Sequence, residues 1–288
     1  MYNTLISAPQ LQALRNSGQP CMVFDCSFEL MQPGAGAQQY RQGHIPGAVR
    51  ADLDRHLSAA DKSAPDAASG GRHPLPSLAT FANWLSSVGF ANPMQAVVYD
   101  RQGANYCGRL WWMLKWAGHE AVAVLDGGLQ AWQASGGELQ TGPQSAPASN
   151  PHFVLTPARA ALIATQTVAR QLGRPGQTLI DARGTPRFKG EVEPLDPVAG
   201  HIPGALNRPF NLNLGADGKF KPAAELRAEF ETLLAGRDPA TVVHHCGSGV
   251  SAMPNLIAME IAGLGRTALY AGSWSEWCSD PTRPTAQG

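Results

Sequence analysis

Short apolar runs that end in polar residues recur along the chain, too far apart to form simple hairpins. The runs at 22–25 and 178–181 both end in aspartate. The runs at 96–100 and 241–245 are each followed by residues compatible with a helix and then by another apolar run, at 121–125 and 267–270. A strand–helix–strand rhythm of this kind predicts a parallel sheet with helical crossovers.

The same pattern occurs in both halves of the chain. The hexapeptide GHIPGA begins at Gly43 and again at Gly200, 157 residues later. An ungapped overlay displaced by 145 residues carries 96–100 onto 241–245. Repetition over such a distance predicts two α/β domains of similar plan that arose by duplication.

A segment rich in proline, glycine and small polar residues separates the two halves. It covers 138–151 and has the composition of a linker, so we predict domains at 1–137 and 152–288. Two domains also suit a chain of 288 residues, because single cores stop growing at about 250–300 residues. Thr156 and Pro157 resemble an N-cap followed by a first-turn proline, which predicts a helix at the start of the second domain.

Composition excludes several classes of protein. Lys plus Arg and Asp plus Glu both total 22, without a block of like charge, so no nucleic-acid partner is expected. No apolar run approaches the roughly 18 residues of a membrane span, so we expect a soluble protein without a membrane partner. The N-terminus lacks the features of a signal peptide, which predicts a cytoplasmic location. Five cysteines without a Cys-x-x-Cys pair argue against a disulfide framework or structural zinc.

Cys246 is the strongest candidate for chemistry. It directly follows the run at 241–245 and opens the glycine-punctuated stretch CGSGVSA at 246–252. Ligands of open parallel sheets bind at the carboxyl ends of the strands, which is where this cysteine is expected. We predict a helix from about Val250, whose N-terminus and loop amides would favour the thiolate. From position alone, a buried structural cysteine is the alternative.

Several stretches resemble the rhodanese superfamily of sulfurtransferases, and together they span nearly the whole chain. They are CGSGVSA at 246–252, HIPG in both halves, WWM at 111–113, LDGG at 125–128 and GSWSEW at 272–277. The resemblance implies an α/β fold of two tandem rhodanese-like domains, each a parallel sheet flanked by helices. The overlay sets Arg101 opposite Cys246, so we expect a catalytic C-terminal domain and a silent N-terminal one.

The resemblance implies a two-step sulfur relay. Cys246 takes sulfur from a small-molecule donor as a persulfide, and a thiol or cyanide then removes it. Thiosulfate-using members carry Arg and Lys where this chain has Gly247 and Ser248, which favours 3-mercaptopyruvate as the donor. Thioredoxin and small thiols are the acceptors that the family implies, and no cofactor is expected. The loop residues expected to bind the persulfide and the donor are Gly247, Gly249, Val250 and Ser251.

A proton relay is also implied by the resemblance, because a leaving pyruvate enolate must be protonated. Its members would be Ser248, His73 and Asp54, although nothing in their spacing shows that they meet. Without the resemblance, the sequence predicts that His73 is a solvated loop histidine. Adjacent residues on a strand point to opposite faces, so His244 and His245 predict no metal site.

Two arginines are candidates for binding the donor's carboxylate, because a guanidinium matches that group in shape and charge. They are Arg187 and Arg183, with Asp181 as a supporting residue. An internal Asp–Arg ion pair that braces the loop is the alternative, and for Asp181 it is the preferred one. Family members usually place a second arginine where this chain has Leu195, which leaves the preferred donor open.

The sequence is also compatible with another donor and with another class of protein. Thiosulfate is the alternative donor, and a non-catalytic rhodanese-like binding module is the alternative of another class. A phosphatase of related architecture would need Cys-x5-Arg, but this chain has Ala252 at that position. His44 and His201 precede Ile-Pro-Gly in both halves, so we expect them to fix a turn rather than to catalyse.

Overall fold

The computed structural model describes residues 1–32, 34–61, 63, 64, 66–144 and 151–288. These residues divide into two compact units. The first comprises Met1–Ala60, Pro76–Arg159 and Ala216–Phe220, and the second comprises Asp61–Leu75, Ala160–Gly215 and Lys221–Gly288. The 61–75 segment therefore belongs to the second unit although it precedes most of the first in sequence. The linker predicted at 138–151 lies partly outside the described residues, and the predicted domain boundaries stay a prediction.

The described residues of the first unit form a five-stranded parallel sheet in the order β1-β5-β4-β2-β3, flanked by helices. Its strands are β1 (Leu5–Ile6), β2 (Cys21–Asp25), β3 (Val49–Arg50), β4 (Gln95–Tyr99) and β5 (Val122–Leu125). Its helices are α1 (Ala8–Asn16), α2 (Ala35–Gln42), α3 (Leu78–Ser87), α4 (Cys107–Trp116) and α5 (Gly128–Ala134). Every residue of β4 is buried, as expected for a parallel strand covered on both faces.

The second unit repeats this plan, with a described parallel sheet in the order β6-β10-β9-β7-β8. Its strands are β6 (Ala161–Leu162), β7 (Thr178–Asp181), β8 (Leu206–Asn207), β9 (Val242–His245) and β10 (Ala268–Leu269). Its helices are α6 (Thr165–Arg170), α7 (Thr185–Lys189), α8 (Ala223–Leu234), α9 (Met253–Ile261) and α10 (Ser273–Trp277), with 3-10 turns at Phe210–Asn213 and Pro239–Thr241. The predicted α/β fold with two similar sheets is confirmed.

The histidines of the two GHIPGA repeats hold equivalent turns. The Nδ1 of His44 lies 2.7 Å from the carbonyl oxygen of Tyr40, and the Nδ1 of His201 lies 2.8 Å from that of Phe188. Each imidazole also stacks on the ring of the residue whose carbonyl it contacts, with centroids 3.8 Å apart. The turn-fixing role expected for this pair agrees with the structure.

The helix predicted after Thr156 is not present. The backbone N–H of Thr156 donates to the carbonyl of Ala117, and its hydroxyl donates to that of Gly118. These bonds hold the residue outside regular secondary structure within the first unit, and tertiary contact overrides the local capping signal. Within the described ranges, the first helix of the second unit is α6.

None of the described helices of either unit combines the length and apolarity needed to cross a bilayer.

Candidate active site

Cys246 lies at the carboxyl end of β9, the central strand of the second sheet, as predicted from sequence. The side chain is buried, with 2% of the residue exposed. Its N–H donates to the hydroxyl of Ser273 at 3.1 Å, and its carbonyl accepts from the N–H of Trp274 at 3.0 Å. The first turn of α10 therefore fixes the backbone at the cysteine.

The loop after the cysteine is longer than predicted. Helix α9 begins at Met253 instead of Val250, so residues 246–252, hereafter the Cys246 loop, lie outside regular structure. Pro254 supplies the reason, because proline is tolerated in the first turn of a helix but not further inside. A helix starting at Val250 would place this proline beyond its first turn.

Gly249 is required by the shape of the Cys246 loop. Its φ of +72° lies in the left-handed region, which side chains rarely adopt. A Cβ at this position would also overlap the carbonyl oxygen of Ala271 and lie 2.8 Å from its Cα. The remaining candidate loop residues, Gly247, Val250 and Ser251, belong to the same turn.

The structure brings together two members of the expected proton relay. The Nδ1 of His73 lies 2.7 Å from the hydroxyl oxygen of Ser248, and both side chains are buried. His73 reaches this position because it lies on the 61–75 segment of the second unit. Asp54 belongs to the first unit, where its N–H donates to the Asp52 carboxylate, and its part in the relay stays a prediction.

Arg183 is bound within an internal ion pair. Its Nε and Nη2 donate to the carboxylate of Asp181 at 2.7–3.1 Å, and its Nη2 also donates to the carbonyl of Gly200. Burial alone would raise the pKa of Asp181, but His245 and Arg183 together lower it below its ordinary value. With a side chain only 2% exposed, Arg183 suits the bracing role better than the donor-binding role expected from sequence.

Arg187 lies beside the Cys246 loop and retains a partly exposed guanidinium. Its Nη2 donates to Glu193 at 2.6 Å and to Asp196 at 3.2 Å. Burial would raise the pKa of Glu193, yet hydrogen bonds from Arg187 and from the N–H of Leu195 hold it below its usual value. The position that a Cβ on Gly247 would take is 3.5 Å from the Nη1 of Arg187.

Arg72 is a neighbour of the loop that the sequence did not indicate. Its Nη2 lies 3.1 Å from the position that a Cβ on Gly247 would take, and its Nη1 forms an ion pair with Asp196. In the sequence, Arg72 is notable for its position next to His73. That position does not indicate an ion pair with Asp196 or a place beside Gly247. Arg72 and Arg187 together place two guanidinium groups over Gly247.

The pairing of the strands corrects the prediction of which residue in the first unit is equivalent to Cys246. Asp25 pairs with Tyr99 on β2 and β4, as Asp181 pairs with His245 on β7 and β9. The residue after Tyr99 is Asp100, so Asp100, and not Arg101, occupies the place of the cysteine. The ungapped overlay was wrong by one residue at this position because α4 has 10 residues and α9 has 9.

The carboxylate of Asp100 fills the loop of the first unit. Its two oxygens accept hydrogen bonds from the N–H groups of Gln102, Ala104, Tyr106 and Cys107 at 2.8–3.1 Å. This loop and the Cys246 loop both run seven residues from the strand-end residue to the first residue of the next helix. Both also have a glycine with positive φ at the third position after that residue, Gly103 and Gly249. A loop of this shape therefore binds an anion through its backbone amides.

The pattern of the rhodanese-like domain matches residues 7–135 and 164–280. The chain belongs to the rhodanese family. It is 47% identical over 285 residues to a probable 3-mercaptopyruvate sulfurtransferase of Pseudomonas aeruginosa, covering 99% of this chain and 98% of the relative. It is 42% identical over 288 residues to a putative thiosulfate sulfurtransferase of Mycobacterium tuberculosis, covering 99% of this chain and 97% of the relative.

Solved structures of this family agree with the fold. The 3-mercaptopyruvate sulfurtransferase from Leishmania major matches with a TM-score of 0.79 and 31% identity, over 96% of this chain and 74% of that one. The corresponding Escherichia coli enzyme matches with a TM-score of 0.75 and 31% identity, over 95% of this chain and all of that one. The predicted membership and the two rhodanese-like domains are confirmed.

Proposed function

We propose that this protein is a sulfurtransferase that moves sulfur from 3-mercaptopyruvate through a persulfide on Cys246 to a thiol or cyanide. The relatives named for this activity, at 47% and 31% identity, support the assignment. Gly247 and Ser248 support the choice of donor, because neither supplies the cationic side chain suited to the dianion thiosulfate.

The observation that carries the proposal is the anion cradle seen in the first unit. There the carboxylate of Asp100 is held by four loop amides. The equivalent position in the second unit is occupied by Cys246, whose side chain acquires a negative charge as thiolate or persulfide. The amides of the Cys246 loop would stabilise that charge without a competing side chain.

In the first step the Cys246 thiolate attacks the sulfur of mercaptopyruvate. A sulfur–sulfur bond forms, and the carbon–sulfur bond breaks with its electron pair passing to carbon as the pyruvate enolate. A proton taken up at that carbon yields pyruvate and leaves a hydropersulfide on Cys246. Ser248 would deliver the proton, and His73 would replenish it through the contact between the two side chains.

In the second step an acceptor removes the outer sulfur. A thiolate attacks it to give a new persulfide and restores the Cys246 thiolate, whereas cyanide gives thiocyanate and the Cys246 thiol. Thioredoxin and small thiols are the proposed acceptors. All five cysteines are free, as a reducing compartment requires, which supports the proposed cytoplasmic location.

The roles of the other candidates follow from their contacts. Arg187 would bind the donor's carboxylate, because its guanidinium is partly exposed beside Gly247. Asp181 and Arg183 would brace the loop from behind through their buried ion pair. Gly249 would permit the turn that directs the loop amides inward.

Thiosulfate is the second candidate donor, favoured by the 42% identity to the mycobacterial relative. The test is steady-state turnover of both donors with cyanide as acceptor, for the native protein and for Cys246→Ser. We expect a larger kcat/KM for mercaptopyruvate and no turnover in the variant. A larger value for thiosulfate would reverse the assignment of the donor.

A further inference from the structure

His245 is the residue of the second unit that is equivalent to Tyr99 in the first. On the paired strands, His245 lies opposite Asp181, and Tyr99 lies opposite Asp25. All four side chains are buried, with 0% of each residue exposed. His245 directly precedes Cys246 in the chain. A difference between the two pairs therefore lies next to the nucleophile.

The hydroxyl of Tyr99 joins two parts of the first unit. It donates a hydrogen bond to the Asp25 carboxylate at 2.7 Å, and it accepts one from the N–H of Ile45 at 3.1 Å. Ile45 belongs to the first GHIPGA repeat. The hydroxyl therefore ties the end of β2 to the turn that this repeat forms.

The same position in the second unit has polar groups but no hydroxyl to join them. Neither ring nitrogen of His245 has a hydrogen-bond partner among the described residues. The Nδ1 atom is 3.9 Å from the Oδ2 of Asp181, which is too long for a hydrogen bond. The buried N–H of Ile202, the equivalent of Ile45, is also without a partner in the described part of the chain. Such groups are usually completed by a buried water, which needs about two to four polar partners.

A change in side-chain size accompanies the loss of the hydroxyl. Strand register makes Tyr270 the equivalent of Leu125, so a tyrosine beside a leucine in the first unit becomes a histidine beside a tyrosine in the second. The rings of His245 and Tyr270 have centroids 6.3 Å apart. The hydroxyl of Tyr270 is bonded to that of Thr165 at 3.2 Å. Tyr270 therefore restores volume next to His245, but its hydroxyl does not replace that of Tyr99.

An ion pair connects this position to the reacting cysteine. The Nη2 of Arg183 donates to Asp181 and to the carbonyl of Gly200 in the second GHIPGA repeat, both at 2.7 Å. Burial opposes the charge of Arg183, but Asp181 and, among other groups, Cys246 raise the pKa of the guanidinium. The charge of Arg183 therefore acts on the cysteine sulfur, and whatever fixes Asp181 also fixes a cation near the nucleophile.

We propose that His245 is a positioning residue for sulfur transfer. Through one bound water, its imidazole joins the Asp181 carboxylate to the N–H of Ile202, in the place that a tyrosine hydroxyl takes in the first unit. The water accepts from the N–H, donates to the carboxylate and shares one further hydrogen bond with the imidazole. This connection holds the ion pair of Asp181 and Arg183, and through it the Cys246 loop. The inference rests on the proposed function and concerns how the loop is held.

The test compares two double variants of the full chain that differ by a single hydroxyl. His245→Tyr with Tyr270→Leu reproduces the side chains of the first unit, and His245→Phe with Tyr270→Leu lacks only the hydroxyl. Single-turnover formation of the Cys246 persulfide is measured against the concentration of mercaptopyruvate and of thiosulfate. In the phenylalanine variant we expect the limiting rate to fall about 10- to 100-fold with both donors, while the half-saturating concentration changes less than about threefold. The tyrosine variant should keep the native limiting rate within about threefold, because its hydroxyl takes the place of the water.

Tyr99→Phe is the matched control, because it removes the same hydroxyl from the unit that carries no nucleophile. Its rate of persulfide formation should match that of the native protein. Equal limiting rates in the two double variants, whether native-like or impaired, would overturn the inference, since the hydroxyl would then have no effect on the loop.

A crystal structure of the native protein gives a readout that depends on no variant. We expect an ordered water within about 3.2 Å of the Asp181 carboxylate, a ring nitrogen of His245 and the backbone nitrogen of Ile202. Density without this water, or a direct hydrogen bond between His245 and Asp181, would overturn the inference. If the native protein forms no persulfide from either donor, it is the proposed function that fails, and the crystal structure distinguishes that result from a failure of the water bridge.

Discussion

The imidazole of His73 lies against the hydroxyl of Ser248, with the Nδ1 and Oγ atoms 2.7 Å apart. The two residues are 175 positions apart in the chain, yet both belong to the second unit. This contact links the residue two positions beyond Cys246 to an imidazole, a group that can both accept and donate a proton. It gives the proposed site a route for the proton that mercaptopyruvate cleavage requires and thiosulfate cleavage does not.

We predict that Ser248→Ala separates the two donors. Release of pyruvate needs a proton at carbon, whereas sulfite leaves thiosulfate without one. The variant should therefore lose about 100-fold or more in kcat with mercaptopyruvate and less than about tenfold with thiosulfate. Steady-state turnover of both donors checks this, with the exposed Ser279→Ala, outside the loop, as the control. Equal losses for the two donors would count against the relay.

Gly249→Ala should disrupt the Cys246 loop. The new methyl group would overlap the carbonyl of Ala271 in addition to straining a left-handed backbone. Gly204 has a similar φ of +78° but no atom within 4 Å of a Cβ position, so Gly204→Ala isolates the backbone term. We expect about 1 kcal/mol of destabilisation for Gly204→Ala and about 3 kcal/mol for Gly249→Ala.

Chemical denaturation measures both free energies of unfolding, and persulfide formation reports the loop directly. Gly249→Ala should also lose at least tenfold in persulfide formation, while Gly204→Ala should retain it. Similar behaviour of the two variants would show that the contact with Ala271 does not shape the loop.

Asp100→Ala should destabilise the first unit strongly. The change removes the acceptor of four loop amides, and each buried donor left unsatisfied costs about 1–3 kcal/mol. With water replacing part of the lost bonding, we expect a total loss of about 3–5 kcal/mol. Thermal or denaturant unfolding measures it, with the largely exposed Asp217→Ala as the control. A loss below about 1 kcal/mol would contradict the anion-cradle interpretation.

The free energy of unfolding should fall in acid because of His244. Burial chiefly, with the charges of His245 and Arg208, lowers the pKa of His244 to about 3 in the folded protein. The unfolded chain binds that proton near pH 6.5, so stability falls by about 1.4 kcal/mol per pH unit as the pH drops from about 6.5 toward 3.

His244→Leu should remove this part of the slope, because leucine keeps the apolar packing around Met259 without the titrating group. Urea denaturation between pH 7 and pH 4 measures it. The exposed His152→Leu is the matched histidine-to-leucine control. Equal slopes for His244→Leu and the native protein would contradict the prediction.

The fold was predictable because its signals are local. The apolar runs at 22–25, 178–181 and 241–245 differ from the observed strands by at most one residue at an end. Cys246 was also predictable, since the carboxyl end of a central parallel strand is set by the order of elements. Strand position and motif spacing together defined the nucleophile's loop.

The partners of the loop were not predictable in the same way. Arg72 approaches Gly247 because the 61–75 segment packs against α10, a tertiary contact that no periodicity in the sequence records. The identity of Asp100 was missed because an ungapped overlay cannot accommodate the one-residue difference between α4 and α9. Only the hydrogen-bonded register of the strands reveals it.

The sequence could not decide the role of Arg183, for a third reason. The Asp-x-Arg sequence indicated either donor binding or an internal ion pair, and both use the same residues. The choice depends on exposure, and the structure buries this guanidinium against Asp181 and Glu193. Burial of an individual polar side chain is set by its neighbours and not by its own sequence context.

Intact-protein mass tests most directly whether Cys246 carries the transferred sulfur. Reduced protein is exposed separately to mercaptopyruvate and to thiosulfate, with Cys246→Ser as the control. We expect mercaptopyruvate to add the mass of one sulfur atom to the native protein and none to the variant. No gain of mass from either donor, or an equal gain in Cys246→Ser, would contradict it.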